Sequence, residues 1–415
     1  MRNLFNDDVM SLDTYIMFKL KEETARLTPE LKAKNRAPIS LSMGAPTANP
    51  PEYVINRLKE ILDEDGIHTY STPKGEKYFR EAIALRMKNR FGVDMDPETE
   101  IFSLVGSKEG IANLIRTLIT PKKEEKEKDV ILVPDPGYAS YLEFVKCSGG
   151  KSYPIPLTYD NDYKPDMEEV WNNLIKDGYK PENVKAMILN FPNNPLGVTT
   201  TKDYVAKVID FCKKHEILLI SDAAYCDLYF NENEKPFSVF ELEGAKDVAV
   251  EFYSFSKPYA VTGWRLGWIC GNGEIVQRFG KAKSTIDNGI FKALQKACAE
   301  LLNSKEGDDY IKAGNEGYKH KQAIMVKGFK ELGWPIDESK IPHTTFYLWL
   351  PIPPRYKSAY EFCEDLLKTS GIVLVPGNAF GKHGEGFFRL SYVCSDEQLQ
   401  EVIDRMKADG FTFYK

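Results

Sequence analysis

The chain has 415 residues, of which 42% are apolar and 28% are charged, as in ordinary soluble globular proteins. Its 55 Lys and Arg against 61 Asp and Glu give a formal net charge of −6, so no overall basic field favours nucleic acid as a partner. Because no apolar run approaches the roughly 20 residues of a membrane span, and no apolar signal segment opens the chain, we expect a cytoplasmic protein without a membrane partner.

The cysteines and histidines predict no metal site. The seven cysteines are scattered and form no C-x-x-C pair, which is typical of free thiols in a reducing compartment. The five histidines show no ligand spacing. The length exceeds what one compact core usually holds, so we expect two domains.

Short apolar strands alternate with longer helical patterns through the middle of the chain. The predicted strands are residues 100–106, 129–135, 184–192, 217–225, 249–255 and 265–271. Several are continuous Val, Ile and Leu runs, as expected for strands covered on both faces. The alternation predicts an α/β fold with a mostly parallel sheet flanked by helices.

The pattern changes near residue 315, where a long helix leads into alternating strands and flanking helices. We therefore predict a large domain over residues 46–315 and a smaller α+β domain over residues 316–415. Residues 1–45 are predicted to form an N-terminal arm and part of the small domain.

The segment "SFSKPYAVTGWRLG", residues 254–267, follows a predicted strand and combines Ser254, Ser256, Lys257 and Arg265. Two hydroxyls and a guanidinium suit a phosphate, and a lysine amine can form a Schiff base with an aldehyde. Pyridoxal 5′-phosphate carries both groups, so we expect it as the cofactor, with Lys257 as its lysine. A basic loop beside a strand is the alternative for this segment alone.

Such a cofactor needs an acidic partner for its pyridine nitrogen and donors for its phenolic oxygen. Asp222 ends an apolar strand, at the edge of the sheet where ligands of α/β folds bind. A buried aspartate there is costly unless it pairs with a cation, although a helix cap or a turn would also explain it. Tyr225 comes three residues later and Asn194 follows another predicted strand, and both can reach the phenolic oxygen, although an ordinary half-buried tyrosine and a polar turn are the alternatives.

Two further segments complete the expected cofactor site. In "VGSKEGIANLI", residues 105–115, a strand, a turn and a helix follow one another, so Gly106, Ser107 and Lys108 can bind phosphate at a helix N-terminus. Tyr138 follows a Pro-Gly turn and can stack on the pyridine ring.

These motifs, in this order, resemble the class I and II aminotransferases of PLP fold type I, from "SMGAP" (42–46) to "FFRLSY" (387–392). The resemblance implies a seven-stranded type of large-domain sheet and the cofactor roles given above. It also implies that Lys257 moves the proton between substrate carbon and cofactor. Arg389 would hold the substrate α-carboxylate, with Gly44 contributing a backbone N–H and Asn194 lying beside the substrate.

The resemblance also implies a homodimer with shared active sites, because Tyr70 in "YSTPKG" matches a tyrosine that reaches the neighbouring subunit's phosphate. "STIDNGIFKAL", residues 284–294, resembles the segment of LL-diaminopimelate aminotransferases that would turn Asn288 toward a substrate side chain. "SMGAPTANPP" departs from the glycine-rich pattern of that branch. We expect ping-pong transfer of an amino group between an L-amino acid and a 2-oxo acid, of the aspartate or diaminopimelate type in amino-acid biosynthesis, with aromatic amino acids or alanine as the alternative substrates.

Three other functions are alternatives for such a sequence. A lyase or decarboxylase on the same fold would use the same cofactor residues. A transcription regulator would need a DNA-binding module that the roughly 40 residues before "SMGAP" do not provide. A dinucleotide-binding oxidoreductase is suggested only by "GNG" at residues 271–273, which lacks the full G-x-G-x-x-G pattern.

Overall fold

The computed structural model describes residue 4, residues 6–12 and residues 16–414, so part of the predicted N-terminal arm lies outside the described residues. The strands are β1 Ile39–Ser40, β2 Ile101–Leu104, β3 Val130–Asp135, β4 Lys151–Pro156, β5 Val184–Leu189, β6 Leu218–Asp222, β7 Ala249–Ser254, β8 Gly267–Gly271, β9 Tyr347–Pro351, β10 Ile372–Val373, β11 Val375–Pro376 and β12 Phe387–Ser391. The α-helices are α1 Asp7–Met10, α2 Ile16–Ala33, α3 Glu52–Ile61, α4 Lys77–Phe91, α5 Ser107–Leu118, α6 Ser140–Cys147, α7 Met167–Lys176, α8 Lys202–His215, α9 Ala245–Val248, α10 Gly273–Lys283, α11 Lys292–Leu302, α12 Lys305–Glu331, α13 Ala359–Ser370 and α14 Asp396–Ala408.

A seven-stranded sheet forms the centre of the molecule, in the order β2-β8-β7-β6-β5-β3-β4. Strand β8 runs antiparallel to both of its neighbours, and the other pairs are parallel. Every residue of β3, β6, β7 and β8 is buried, because helices cover both faces. The predicted mostly parallel α/β sheet is confirmed.

The parallel strands end at one edge of this sheet, and the candidate residues follow their last residues. Asp222 is the last residue of β6 and Ser254 is the last residue of β7. Asn194 comes shortly after β5, and Tyr138 shortly after β3. The topology therefore gathers side chains that are far apart in sequence, as expected at the carboxyl edge of an open α/β sheet.

A second, separate hydrophobic core lies around the three-stranded antiparallel sheet β11-β12-β9 and includes Phe346, Phe388 and Met406. Strand β1 pairs in parallel with β10, which attaches residues 39–40 to this part of the molecule. Helix α12 crosses position 315 without a break. The domain boundaries at 45/46 and 315/316 stay predictions.

None of the described helices combines the length and apolarity that crossing a membrane requires.

Candidate active site

A cavity of about 450 Å³ lies at the carboxyl edge of the central sheet. Most of the predicted site residues line it: Gly44, Ser107, Lys108, Tyr138, Asn194, Asp222, Tyr225, Ser254, Ser256, Lys257, Arg265 and Arg389. Gly106 lies directly against the guanidinium of Arg265, which lines the cavity. The cavity is also lined by residues that the motifs did not indicate, among them Ile16, Thr262 and Phe380.

Lys257 lies three residues beyond β7, and its Nζ donates a hydrogen bond to the carbonyl of Gly44 at 2.6 Å. Burial lowers the pKa of Lys257 to about 8, and the positive charges of Arg265 and Arg389 contribute in the same direction, while Asp222 opposes them. The amine is therefore neutral at a lower pH than an exposed lysine, which favours its attack on an aldehyde.

Asp222 is buried at the end of β6, where its carboxylate receives two hydrogen bonds from the chain. Tyr141 donates its hydroxyl to Oδ2 at 2.6 Å, and the backbone N–H of Ala224 lies 3.2 Å from Oδ1. Burial raises the pKa of Asp222 above its usual value. The two donors and the nearby Lys257 act in the opposite direction and offset part of this effect. Such a carboxylate suits a cationic partner in the cavity, as predicted for a protonated pyridine nitrogen.

The predicted phosphate cup forms where three chain segments meet. Gly106 precedes α5 with φ 82°, and no side chain of the described residues caps this helix, so its first N–H groups can donate to a ligand. The Nη1 of Arg265 lies 3.5 Å from the Oγ of Ser256, and the backbone N–H of Ser256 donates to the Oγ of Ser254 at 3.1 Å. A side chain at position 106 would collide with Nη2 of Arg265. The donors and the space left by glycine fit a phosphate.

Lys108 and Tyr138 lie on the same wall of the cavity. The Lys108 Nζ is 5.8 Å from the centre of the Tyr138 ring. The Tyr138 ring packs edge to face against Tyr141, with centroids 5.5 Å apart. Tyr141 therefore supports both Asp222 and the ring that is predicted to stack on the cofactor.

Arg389 in β12 is 3% exposed and faces the cavity. Its Nη1 donates to Asn194 Oδ1 at 2.9 Å, and its Nη2 donates to the carbonyl of Ser42 at 2.5 Å. Among the residues that the structure describes, its Nε has no hydrogen-bond partner. A buried guanidinium with a donor to spare fits the carboxylate of an amino acid.

Asn194 and Tyr225, the predicted contacts of the phenolic oxygen, are each fixed by a residue that sequence reasoning missed. The backbone N–H of Asn194 donates to Asn190 Oδ1 at 3.1 Å. The hydroxyl of Tyr225 lies 2.8 Å from the hydroxyl of Tyr347. Asn190 comes directly after β5, which is a usable signal, whereas Tyr347 begins an ordinary apolar strand.

Two predicted residues do not reach this cavity from within the chain. Tyr70 is 84% exposed, and Asn288 is also exposed. They belong to adjoining segments, because a side chain at Gly289 would collide with the carbonyl of Thr72.

The family model for class I and II aminotransferases matches residues 36–406. An LL-diaminopimelate aminotransferase of Nitratidesulfovibrio vulgaris is 35% identical over 404 residues, which cover 94% of this chain and 98% of that protein. The solved apo-BacF of Bacillus subtilis is 31% identical, with a TM-score of 0.90 and 100% of both chains covered. The aspartate aminotransferase of Thermus thermophilus with maleate is 25% identical, with a TM-score of 0.86 and coverage of 99% of this chain and 100% of that one.

Proposed function

This chain belongs to the class I and II aminotransferases, and we propose that it uses pyridoxal 5′-phosphate to move the amino group of LL-diaminopimelate to a 2-oxo acid. The name of the relative from Nitratidesulfovibrio vulgaris supports this substrate, as does the Asn-Gly segment at positions 288 and 289. Aspartate is the second candidate, because the similar Thermus enzyme is an aspartate aminotransferase.

The observation that carries the cofactor assignment is the presence of Lys257 and Asp222 in one cavity with the Arg265 cup. When bound there, pyridoxal 5′-phosphate supplies an aldehyde for the lysine and an electron-withdrawing ring that stabilises negative charge on the substrate carbon. Asp222 would keep the ring nitrogen protonated. Ser254, Ser256 and Arg265 would hold the phosphate together with the first turn of α5.

The remaining polar residues would orient the substrate and move its proton. Arg389 would bind the α-carboxylate, since its guanidinium is buried and its Nε has no partner among the described residues. The Lys257 amine would then remove the proton from the substrate Cα and deliver it to the cofactor. Its pKa of about 8 suits a base that must also act as an acid near neutral pH.

We also propose that two copies of the chain share their active sites. Tyr70 and Asn288 lie outside their own cavity on a face that exposes large apolar side chains, including Ile286 at 47% and Phe291 at 42%. The ring of Phe291 stacks on His68, with centroids 6.1 Å apart. A two-fold partner would cover this apolar face and carry each Tyr70 to the other phosphate cup.

A lyase or decarboxylase would use the same lysine and aspartate, and nothing in the comparisons favours either one. The two classes differ in their need for a second substrate. An aminotransferase stops after one half-reaction unless a 2-oxo acid is present, whereas a lyase or decarboxylase turns over without it.

The decisive experiment is a half-reaction screen of the purified enzyme with pyridoxal 5′-phosphate. LL-diaminopimelate, aspartate, alanine and phenylalanine are each added without a 2-oxo acid, and the conversion of the cofactor to its amine form is followed by absorbance. We expect the fastest conversion with LL-diaminopimelate and repeated turnover only after 2-oxoglutarate is added. Carbon dioxide release or repeated turnover without a 2-oxo acid would contradict the proposal.

A further inference from the structure

Tyr347 is the first residue of β9 and does not line the cavity, yet it contacts two residues that do. It is fully buried, and its hydroxyl lies 2.8 Å from that of Tyr225. The centre of its ring is 4.6 Å from Cζ of Arg389. Tyr225 is the proposed contact of the cofactor's phenolic oxygen, and Arg389 is the proposed carboxylate clamp.

The antiparallel pairing of β9 with β12 explains why Tyr347 meets Arg389. Tyr347 lies opposite Ser391, and Trp349 lies opposite Arg389. Side chains at positions of the same parity share one face of a strand, so Tyr347 and Arg389 are diagonal neighbours within reach of long side chains. The aromatic face then attracts the guanidinium, which Phe380 contacts at 4.8 Å.

The hydroxyl of Tyr347 also lies where a side chain at position 44 would have to go. A Cβ on Gly44 would be 2.6 Å from this oxygen. The carbonyl of the same glycine accepts the hydrogen bond from Lys257. One hydroxyl therefore lies between the lysine's acceptor, the phenol of Tyr225 and the guanidinium of Arg389.

The direction of the hydrogen bond between the two phenols follows from the role of Tyr225. A phenol has one proton, and Tyr225 must donate its own to contact an anionic oxygen on the cofactor. Tyr347 then has to donate to the oxygen of Tyr225. Successive O–H donors of this kind polarise one another, so the second hydroxyl strengthens the first as a donor.

We propose that Tyr347 is a positioning residue that acts on the cofactor and on the substrate through separate parts of its side chain. Its hydroxyl orients Tyr225 toward the cofactor, and its ring holds the guanidinium of Arg389 in line for the carboxylate. This inference rests on the function proposed above.

The two parts of the side chain can be separated by two substitutions. Tyr347→Phe removes the hydroxyl and keeps the ring, so kcat should fall about three- to tenfold while KM for the amino acid changes less than about twofold. The dissociation constant of pyridoxal 5′-phosphate should rise about threefold or more in the same variant. Tyr347→Leu also removes the ring, and KM should then rise about tenfold as well.

A double-mutant cycle tests the contact between the hydroxyls. In a Tyr225→Phe background, Tyr347→Phe should no longer change kcat or cofactor affinity, because the group that it orients is gone. Tyr392→Phe is the matched control, since Tyr392 is fully buried in the same core and its hydroxyl accepts a hydrogen bond from Gln322 at 3.1 Å. This control should leave kcat, KM and cofactor affinity unchanged.

Additive effects of the two phenylalanine substitutions would overturn the proposal, as would equal losses in Tyr392→Phe. A rise in KM with unchanged kcat in Tyr347→Phe would also overturn it. If the unaltered enzyme binds no cofactor or transfers no amino group, the proposed function fails instead, and this is seen before any variant is compared.

Discussion

The carboxylate of Asp222 depends on Tyr141, which is fully buried and donates its hydroxyl at 2.6 Å. Removing this donor leaves a buried charge with one partner fewer, which costs about 1.5–3 kcal/mol when the acceptor is ionised. We expect Tyr141→Phe to lower kcat by about ten- to a hundredfold, because a less ionised Asp222 is a poorer partner for the ring nitrogen. Steady-state kinetics and the absorption spectrum of the bound cofactor measure this effect.

Tyr259→Phe is the matched control for Tyr141→Phe. Tyr259 is equally buried, but its hydroxyl has no hydrogen-bond partner among the described residues. Its loss should leave kcat and the spectrum unchanged. Similar losses in both variants would show that Tyr141 acts only through packing.

The lowered pKa of Lys257 predicts the pH dependence of cofactor attachment. Only the neutral amine attacks an aldehyde, so the rate of attachment should increase as the pH rises through about 8. Arg389→Met removes a positive charge near the amine and should move this midpoint upward. The rate is measured by adding pyridoxal 5′-phosphate to the cofactor-free enzyme from about pH 6.5 to 9.5.

The exposed Arg278, which pairs with Glu274, supplies the control for this titration. Arg278→Met should leave the midpoint in place. A rate that still rises without a midpoint up to about pH 9.5, as expected for the ordinary lysine pKa of about 10.4, would contradict the stated electrostatics, and so would a downward move in Arg389→Met.

Among the individual site residues, those that follow apolar strands could be predicted from the sequence. Those that act through other side chains could not. Lys257 and Asp222 carry a signal because a charged residue at the end of a buried strand needs a partner. Tyr141 carries none, since it lies 81 residues from Asp222 in sequence and occupies an ordinary apolar helix position. Contacts of this kind depend on the fold.

The start of helix α5 depends on glycine at position 106 for both its conformation and its space. The backbone there has φ 82° and ψ 157°, a region that almost only glycine adopts. Gly106→Ala adds strain and also displaces Arg265 from the phosphate cup. We expect the affinity for pyridoxal 5′-phosphate to fall about tenfold or more, measured by equilibrium dialysis.

Gly92→Ala separates strain from contact. Gly92 follows the last residue of α4 with φ 70°, and apart from its chain neighbours no atom of the described residues lies within 4 Å of an added Cβ. This variant should lower the unfolding temperature of the cofactor-free enzyme, as Gly106→Ala does, but it should keep the cofactor affinity. If the cofactor affinity is unchanged in Gly106→Ala, the turn at Gly106 takes no part in binding the phosphate.

The predicted strands correspond to β2, β3, β5, β6, β7 and β8, whereas β4 was missed. Strand β4 lies at the edge of the sheet, and only one of its six residues is buried. It also contains Pro154, which edge strands tolerate. Without a buried apolar run, this segment has the composition of a loop.

The whole molecule is expected to work as a dimer in which Tyr70 of each subunit completes the other subunit's site. Lys257→Ala and Tyr70→Ala homodimers should each lose activity, the first almost completely. A heterodimer of the two holds one site with both changes and one intact site. After subunit exchange in an equal mixture, we expect about a quarter of the unaltered activity.

Tyr414→Ala replaces Tyr70→Ala in the control mixture, since Tyr414 is also strongly exposed, at 74%. It should be fully active alone, and mixing should add nothing beyond the average of the two parents. The same additive result with Tyr70→Ala, or an active monomer in sedimentation, would contradict the shared site.

The fold class could be predicted because the alternation of strands and helices extends along most of the chain. The position of Tyr70 relative to the active site could not be derived from this alternation. Its loop has no signal of its own beyond the family match, and its proposed target lies in another copy of the chain.

Borohydride reduction of the enzyme with pyridoxal 5′-phosphate, followed by peptide mass spectrometry, tests the central assignment most directly. Lys257 and Lys108 both line the cavity, so the experiment chooses between two lysines in the same site. We expect the reduced cofactor on Lys257 and, in Lys257→Ala, cofactor that remains bound but cannot be fixed. Label on Lys108, or no label on either lysine, would contradict the account.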